Sequence, residues 1–300
     1  MVAEALTDTA NEGGRRWIVD PQRGFVVSRP AGLMGILNAT PDSFSDGGRH
    51  LDPGAAIAAG ERMVAEGATW LDVGGESARP GANAVAEDEE IRRVVPVISG
   101  LRDAGVRAII SIDTAKAAVA AAALAAGADA LNDVSAGGDP LMFALAARHG
   151  CPLVLMHMQG TPRTMQREPR YDDVVAEVVA FLAARIATAV AAGVQEAALL
   201  IDPGIGFGKT VEHNVALLRA LPAIESALGR PLVVGVSRKS FIAKLTGSAA
   251  LPSDRDADSH VLHALLAPRC SLLRVHDVAG ARRAVALAAA AGSPVPEVGA

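Results

Sequence analysis

Eight times along this 300-residue chain, a short run rich in Val, Ile and Leu ends at or near a polar residue and gives way to a longer segment. The runs are LMGILN (33–38), TWLDVG (69–74), AIISID (108–113), DALNDV (129–134), PLVLMH (152–157), ALLIDP (198–203), PLVVGVS (231–237) and LLRVHD (272–277). They are apolar at successive positions rather than alternate ones, so each reads as a strand buried on both faces, as in a parallel sheet. Many of the segments between them are Ala-rich, of helical length and end in Gly, where a helix stops on a left-handed residue. Eight β–α units in this length predict an α/β fold, a single-domain TIM (β/α)8 barrel over residues 31–292. A doubly wound Rossmann-type sheet is the runner-up, but its glycine fingerprint is missing. Residues 1–30 are expected to form an N-terminal extension, with a hairpin closing the barrel bottom, and 293–300 a frayed tail.

Composition narrows the function. Half the residues are hydrophobic, enough for a full core. A net charge of −5 argues against nucleic acid as a partner, which would demand a basic patch against phosphate. Cys151 and Cys270 are too few for a disulfide framework and are expected to pack as small hydrophobes. The N-terminal stretch is polar and mixed in charge, unlike a signal peptide. The Ala-rich run near 117–128 is too short to span a bilayer. No membrane partner and a cytoplasmic location are the expectations.

Barrel sites gather at the C-terminal ends of strands. Those ends carry Asn38, Asp72, Asp113, Asn132–Asp133, His157, Asp202, Ser237–Arg238–Lys239 and Arg274–His276–Asp277. Turn capping accounts for Asp72 and Asp133 but not for all eight ends, so a site is the better account. Arg274, His276 and Lys239 could hold a phosphate or diphosphate. Asp113, Asn132 and Asp202 could hold a planar heterocycle offering parallel N–H donors. Behind the first strand, a loop far longer than a turn needs surrounds a lone Phe44 with Asn, Thr, Asp, Ser and Gly, which suggests function.

Two near-matches fail. PGIGFGKT (203–210) resembles a phosphate loop, yet Pro203 stands where Walker A needs Gly, and Lys209 stands where GxGxxG needs its third Gly. His260 and His263 share a helical face without a third ligand at a matching spacing, so a solvated face is expected there rather than zinc. For Met156, Met158 and Phe207, core packing and a place in the site are equally weighted.

In order along the chain, MGILNATPDSFSDGG, LDVGGESARPGA, SIDT, NDVS, LMHMQGTPRTMQ, DPGIGFGK, GVSRKSF and RVHDV resemble the dihydropteroate synthases. The resemblance implies a TIM barrel that joins 4-aminobenzoate to a dihydropterin methyl diphosphate, releasing pyrophosphate. It implies that Asp113, Asn132, Asp202 and Lys239 bind the pterin, with Met156 and Phe207 lining its slot. It also implies that Asn38 ligates Mg²⁺ and that Arg274 and His276 hold the diphosphate. Phe44 and Pro80 would come down over the aminobenzoate, with Ala78 and Arg79 in the same loop as Pro80 and the carboxylate near Ser240. The loop after the first strand would be a lid, and a homodimer is expected.

Two positions depart from the family. Ala78 replaces the usual Thr of GESTRP, and the segment 254–270 lacks the small Gly-Ser pair, which puts helix packing there in question. A methyltetrahydrofolate methyltransferase shares the barrel but should lack the two anion-binding clusters. A non-catalytic pterin-binding paralogue is the other rival.

Overall fold

The computed structural model describes residues 16–20, 22–40, 52–77 and 81–292. An antiparallel hairpin, β1 (Arg16–Asp20) and β2 (Phe25–Ser28), precedes eight parallel strands. These are β3 (Gly32–Asn38), β4 (Trp70–Gly74), β5 (Ile109–Asp113), β6 (Ala130–Asp133), β7 (Leu153–Met156), β8 (Leu199–Asp202), β9 (Val233–Val234) and β10 (Leu272–Val275). They run β8-β7-β6-β5-β4-β3-β10-β9, and a parallel bridge between Ile201 and Leu232 joins the two ends into a nearly closed barrel.

The helices between them form the outer ring: α1 (Pro53–Glu66), α2 (Glu87–Asp103), α3 (Ala117–Ala125), α4 (Met142–His149), α5 (Val174–Ala191), α6 (Val211–Leu228), α7 (Ser240–Thr246), α8 (Asp256–Leu266) and α9 (Val278–Gly292). Local chemistry sets their ends. Asp52 accepts from the Gly54 N–H at 2.9 Å to start α1, and Thr210 with His213 forms a capping box on α6. Helix α5, not the 117–128 run, is long and apolar enough by composition to cross a membrane. Val174, Val178, Leu182 and Ala189 on it are buried, and its Arg185 donates to the carbonyls of Ala136 and Gly137.

Strand period and register decide what faces the barrel axis. One set of strand residues (Leu37, Leu71, Val73, Ile110, Ile112, Leu131, Leu153, Leu155, Leu273) packs in the large core shared with the helices. The alternate set begins at the bottom with Met34, Trp70, Ile109, Ala130, Val154, Leu200, Val233 and Leu272, which cluster with Val19 and Val27 of the hairpin. Two residues further along the same faces come Ile36, Asp72, Ser111, Asn132, Met156, Asp202 and Arg274. One more step brings Asn38, Gly74 and Asp113. The interior is therefore a dry plug below and a polar mouth above. Cys151 and Cys270 are buried free thiols whose burial pushes both up, Cys151 to about 11.

Candidate active site

The mouth holds a cavity of about 380 Å³, lined by Asn38, Asp113, Phe207, Lys239, Ser240, Arg274 and His276 among others. Arg274 on its wall is held by two carboxylates. Its Nε donates to Asp72 Oδ2 and its Nη2 to Asp113 Oδ2, both at 2.6 Å. Asp72 also accepts from Ser111 Oγ at 2.6 Å and from Asn132 Nδ2 at 2.9 Å. Burial opposes charge on Arg274, but Asp72 and Asp113 outweigh it and hold the guanidinium protonated beyond its ordinary range. Burial pushes the Asp113 carboxyl up to about 7, against the pull of Arg274 and with the push of Asp72.

Opposite this cluster, Asp202 accepts from the Gly204 N–H at 2.7 Å, and burial raises its carboxyl above the usual range. Lys239 is its cationic neighbour, donates to the Ile205 carbonyl and lies 4.6 Å from the Phe207 ring centroid. Burial lowers the Lys239 amine to about 8, with Asp202 resisting. A slot walled by Phe207, Lys239, Asp113 and Arg274 can hold a flat ring whose N–H groups meet carboxylates. At the outer edge, Ser237 Oγ accepts from the His276 N–H at 3.2 Å and lies 3.0 Å from its Nδ1.

Of the expected site residues, Asn38, Asp113, Phe207, Lys239, Ser240, Arg274 and His276 line the cavity, and Asn132, Asp202 and Met156 do not. Asn132 and Asp202 lie at the inner ends of these networks, and Met156 is buried in register with Asp202. Phe44, Ala78, Arg79 and Pro80 lie outside the described residues.

Several expectations need correcting. Asp72 caps no turn: it is fully buried and anchors Arg274, whereas Asp133 does cap, accepting from the N–H groups of Ser135 and Gly137. The division into an anion half and a heterocycle half also shifts. Lys239 belongs with Asp202 and Phe207, and Arg274 joins the two halves. His157 is no site residue. It packs edge-on against Phe181 with ring centroids 4.9 Å apart, lies 3.0 Å from Lys209 Nζ, and is pushed down to about 3 by burial and that cation. His260 and His263 do not form a solvated face either: His263 is 1% exposed, and burial, with His260 beside it, lowers it to about 4. Sequence reasoning missed Glu76, Met165 and Arg255 on the cavity wall. Glu76 and Met165 sat inside quoted motifs, whereas Arg255 fell in the segment read as divergent and gave no signal.

Residues 34–276 match the family described as pterin binding enzymes. The dihydropteroate synthase of Mycobacterium leprae is 48% identical over 256 residues, covering 83% of this chain and 89% of that protein. A Xanthomonas albilineans dihydropteroate synthase solved with 4-aminobenzoic acid superposes with a TM-score of 0.83 at 47% identity, covering 94% of this chain and 100% of that one. The same bacterium's enzyme in complex with 7,8-dihydropteroate superposes at 0.80 with 44% identity, covering 93% and 100%.

Proposed function

The chain belongs to the dihydropteroate synthase family, whose reaction condenses 4-aminobenzoate with a dihydropterin methyl diphosphate, and from that premise we propose how its own residues divide the work. Asp113, Asn132, Asp202 and Lys239 bind the pterin, and Met156 and Phe207 line its slot. The observation that carries this reading is one cavity lined by Asp113, Arg274, Lys239 and Phe207, with the Asp113 carboxyl raised by burial and the buried Asp202, also raised, as the charge partner of Lys239. Such carboxylates suit a ring that brings its own N–H donors.

Breaking the carbon–oxygen bond leaves positive charge on the pterin methylene and negative charge on the departing diphosphate. Asp113, ionised beneath the ring, stabilises the first charge; Arg274 and His276 stabilise the second. The neutral aniline nitrogen attacks the methylene carbon, a C–N bond replaces the C–O bond, and the amine proton leaves to solvent or pyrophosphate. No covalent bond to the enzyme is needed.

Mg²⁺ fits as a substrate-borne ion. No cluster of three or more His, Cys, Asp or Glu side chains among the described residues could hold a metal alone. Mg²⁺ takes hard oxygens and is usually held by few protein groups plus substrate phosphates. The Asn38 amide oxygen on the cavity wall suits that donor set, and the ion would neutralise charge on the leaving diphosphate.

By the family resemblance, Phe44, Pro80 and Ser240 are assigned to the aminobenzoate side and Ala78 to the diphosphate side, with Arg79 between Ala78 and Pro80 in the same loop. The enzyme is proposed to be cytoplasmic and homodimeric. Val261 and Leu265, one turn apart on α8 and each 61% exposed, are the residues proposed for the interface.

The test is pyrophosphate release. It should require both substrates and give dihydropteroate in equal amount. Pterin binding without release would favour the non-catalytic paralogue, and methyl transfer from methyltetrahydrofolate would favour the methyltransferase.

A further inference from the structure

The turn between β9 and α7 holds a side chain in a conformation that favours glycine. Arg238 has φ of +60°, in the left-handed region, where a non-glycine residue persists only if its surroundings over-determine it. Here they do. Arg238 Nε and Nη2 donate to Asp256 Oδ1 and Oδ2, both at 2.7 Å, a two-pronged charged pair. The Arg238 N–H donates to Ser259 Oγ at 3.0 Å, and its carbonyl accepts from Arg255 Nη1 at 3.0 Å. Ser259 is fully buried and is itself tied to the Arg255 carbonyl at 2.7 Å. All these partners come from the start of α8 and the residue before it, within the segment that departs from the family.

The residues on either side of Arg238 belong to the site. Ser237 takes the His276 N–H, and Lys239 reaches across to the Ile205 carbonyl beside Asp202 and Phe207. A single left-handed residue thus sends two neighbouring side chains toward two different parts of one cavity. Arg238 also lines the cavity, but its Nε and Nη2 are both engaged by Asp256, which matches its charge within the protein.

We propose that Asp256 is a positioning residue for the reaction: its pair with Arg238 fixes the 237–240 turn so that Ser237 meets His276 and Lys239 meets the pterin slot. Asp256 touches no substrate in this account. The inference deepens the proposed site and rests on it, so its test has one arm independent of turnover.

That arm is amide hydrogen exchange across residues 236–240 in the ligand-free enzyme, compared between wild type, Asp256→Asn and Asp256→Glu. Asp256→Asn should exchange roughly tenfold faster in this turn, with strands β3 to β5 unchanged, because local opening follows loss of local contacts. Steady-state kinetics form the second arm. Asp256→Asn should raise KM for the pterin diphosphate by roughly five- to tenfold with a smaller change in kcat, and Asp256→Glu should recover most of it. Unchanged exchange and unchanged KM would overturn the proposal. A lower KM for 4-aminobenzoate would also overturn it, since that would mark Arg238 as a substrate ligand that Asp256 restrains. Silent turnover in the wild type would sink the proposed function, while the exchange arm would still decide the role of Asp256. Should Asp256→Asn not fold, Arg238→Gly supplies the left-handed residue without strain. Adding Asp256→Ala to Arg238→Gly should then change KM little, and a full additive loss would contradict the coupling.

Discussion

Asp113 is held between two opposing influences, burial raising its carboxyl to about 7 and Arg274, 2.6 Å away, favouring its charge. The ordinary value is 3.8, so between that and about 7 the folded chain binds the proton more tightly than the unfolded chain. Stability contributed by this group is therefore present below the window and is lost as pH rises through it. An ionised Asp113 at neutral pH disfavours the fold and serves the chemistry. Asp113→Asn should thus gain thermal stability relative to wild type as pH rises from 5 to 8. Calorimetry at several pH values checks this, and a difference that does not vary with pH would show that the carboxyl does not titrate there. Arg274→Lys keeps the charge but cannot bridge Asp72 and Asp113 with one planar fork. The expected outcome is a loss of at least about tenfold in kcat/KM, a lower bound set by the roughly 1.5 kcal/mol of one charged hydrogen bond.

The β8–α6 loop shows how an element can be legible as a string and still be misread as a function. PGIGFGKT has the look of a phosphate cradle without its spacing, and spacing does not say where Lys209 goes. The structure turns it inward: Lys209 Nζ donates to the Phe207 carbonyl at 2.9 Å and lies 3.0 Å from His157 Nδ1. Burial lowers this amine to about 7, with Asp202 resisting, so the stability it contributes rises with pH between about 7 and 10.5. The lysine is a tie that carries Phe207 to the edge of the slot. Lys209→Met strands those acceptors and should destabilise the fold by about 1–3 kcal/mol. It should also raise KM for the pterin diphosphate, and denaturant melts with steady-state kinetics read both. At Gly204, φ is +69° and a Cβ would meet the His157 carbonyl oxygen at 1.8 Å. Gly204→Ala should leave little soluble, folded enzyme, and a normal melting curve would contradict this packing.

For the whole molecule, the eightfold β–α repeat made the barrel readable, because strands buried on both faces cannot hide their composition. The polar strand ends made most of the site readable for the same reason. Asp72 was misjudged because its role is set by register. Only the pairing of Ile36 with Asp72 and of Asp72 with Ser111 puts it inside, under Arg274. Arg255, Asp256 and Ser259 gave no signal because their partner, Arg238, lies 17 to 21 positions away and on another element. If α8 forms the dimer face, Leu265→Glu should shift the enzyme to monomers in sedimentation equilibrium, and an unchanged mass would move the interface elsewhere.

Single-turnover kinetics of Asp113→Asn, with bound pterin diphosphate and saturating 4-aminobenzoate, test the charge-based account most directly. The account predicts a folded enzyme that binds the pterin yet forms dihydropteroate on the order of 100- to 1000-fold more slowly than wild type, the usual loss for one electrostatic group facing a developing charge. A variant that keeps more than about half the wild-type rate would show that the Asp113 charge is not what drives the cleavage.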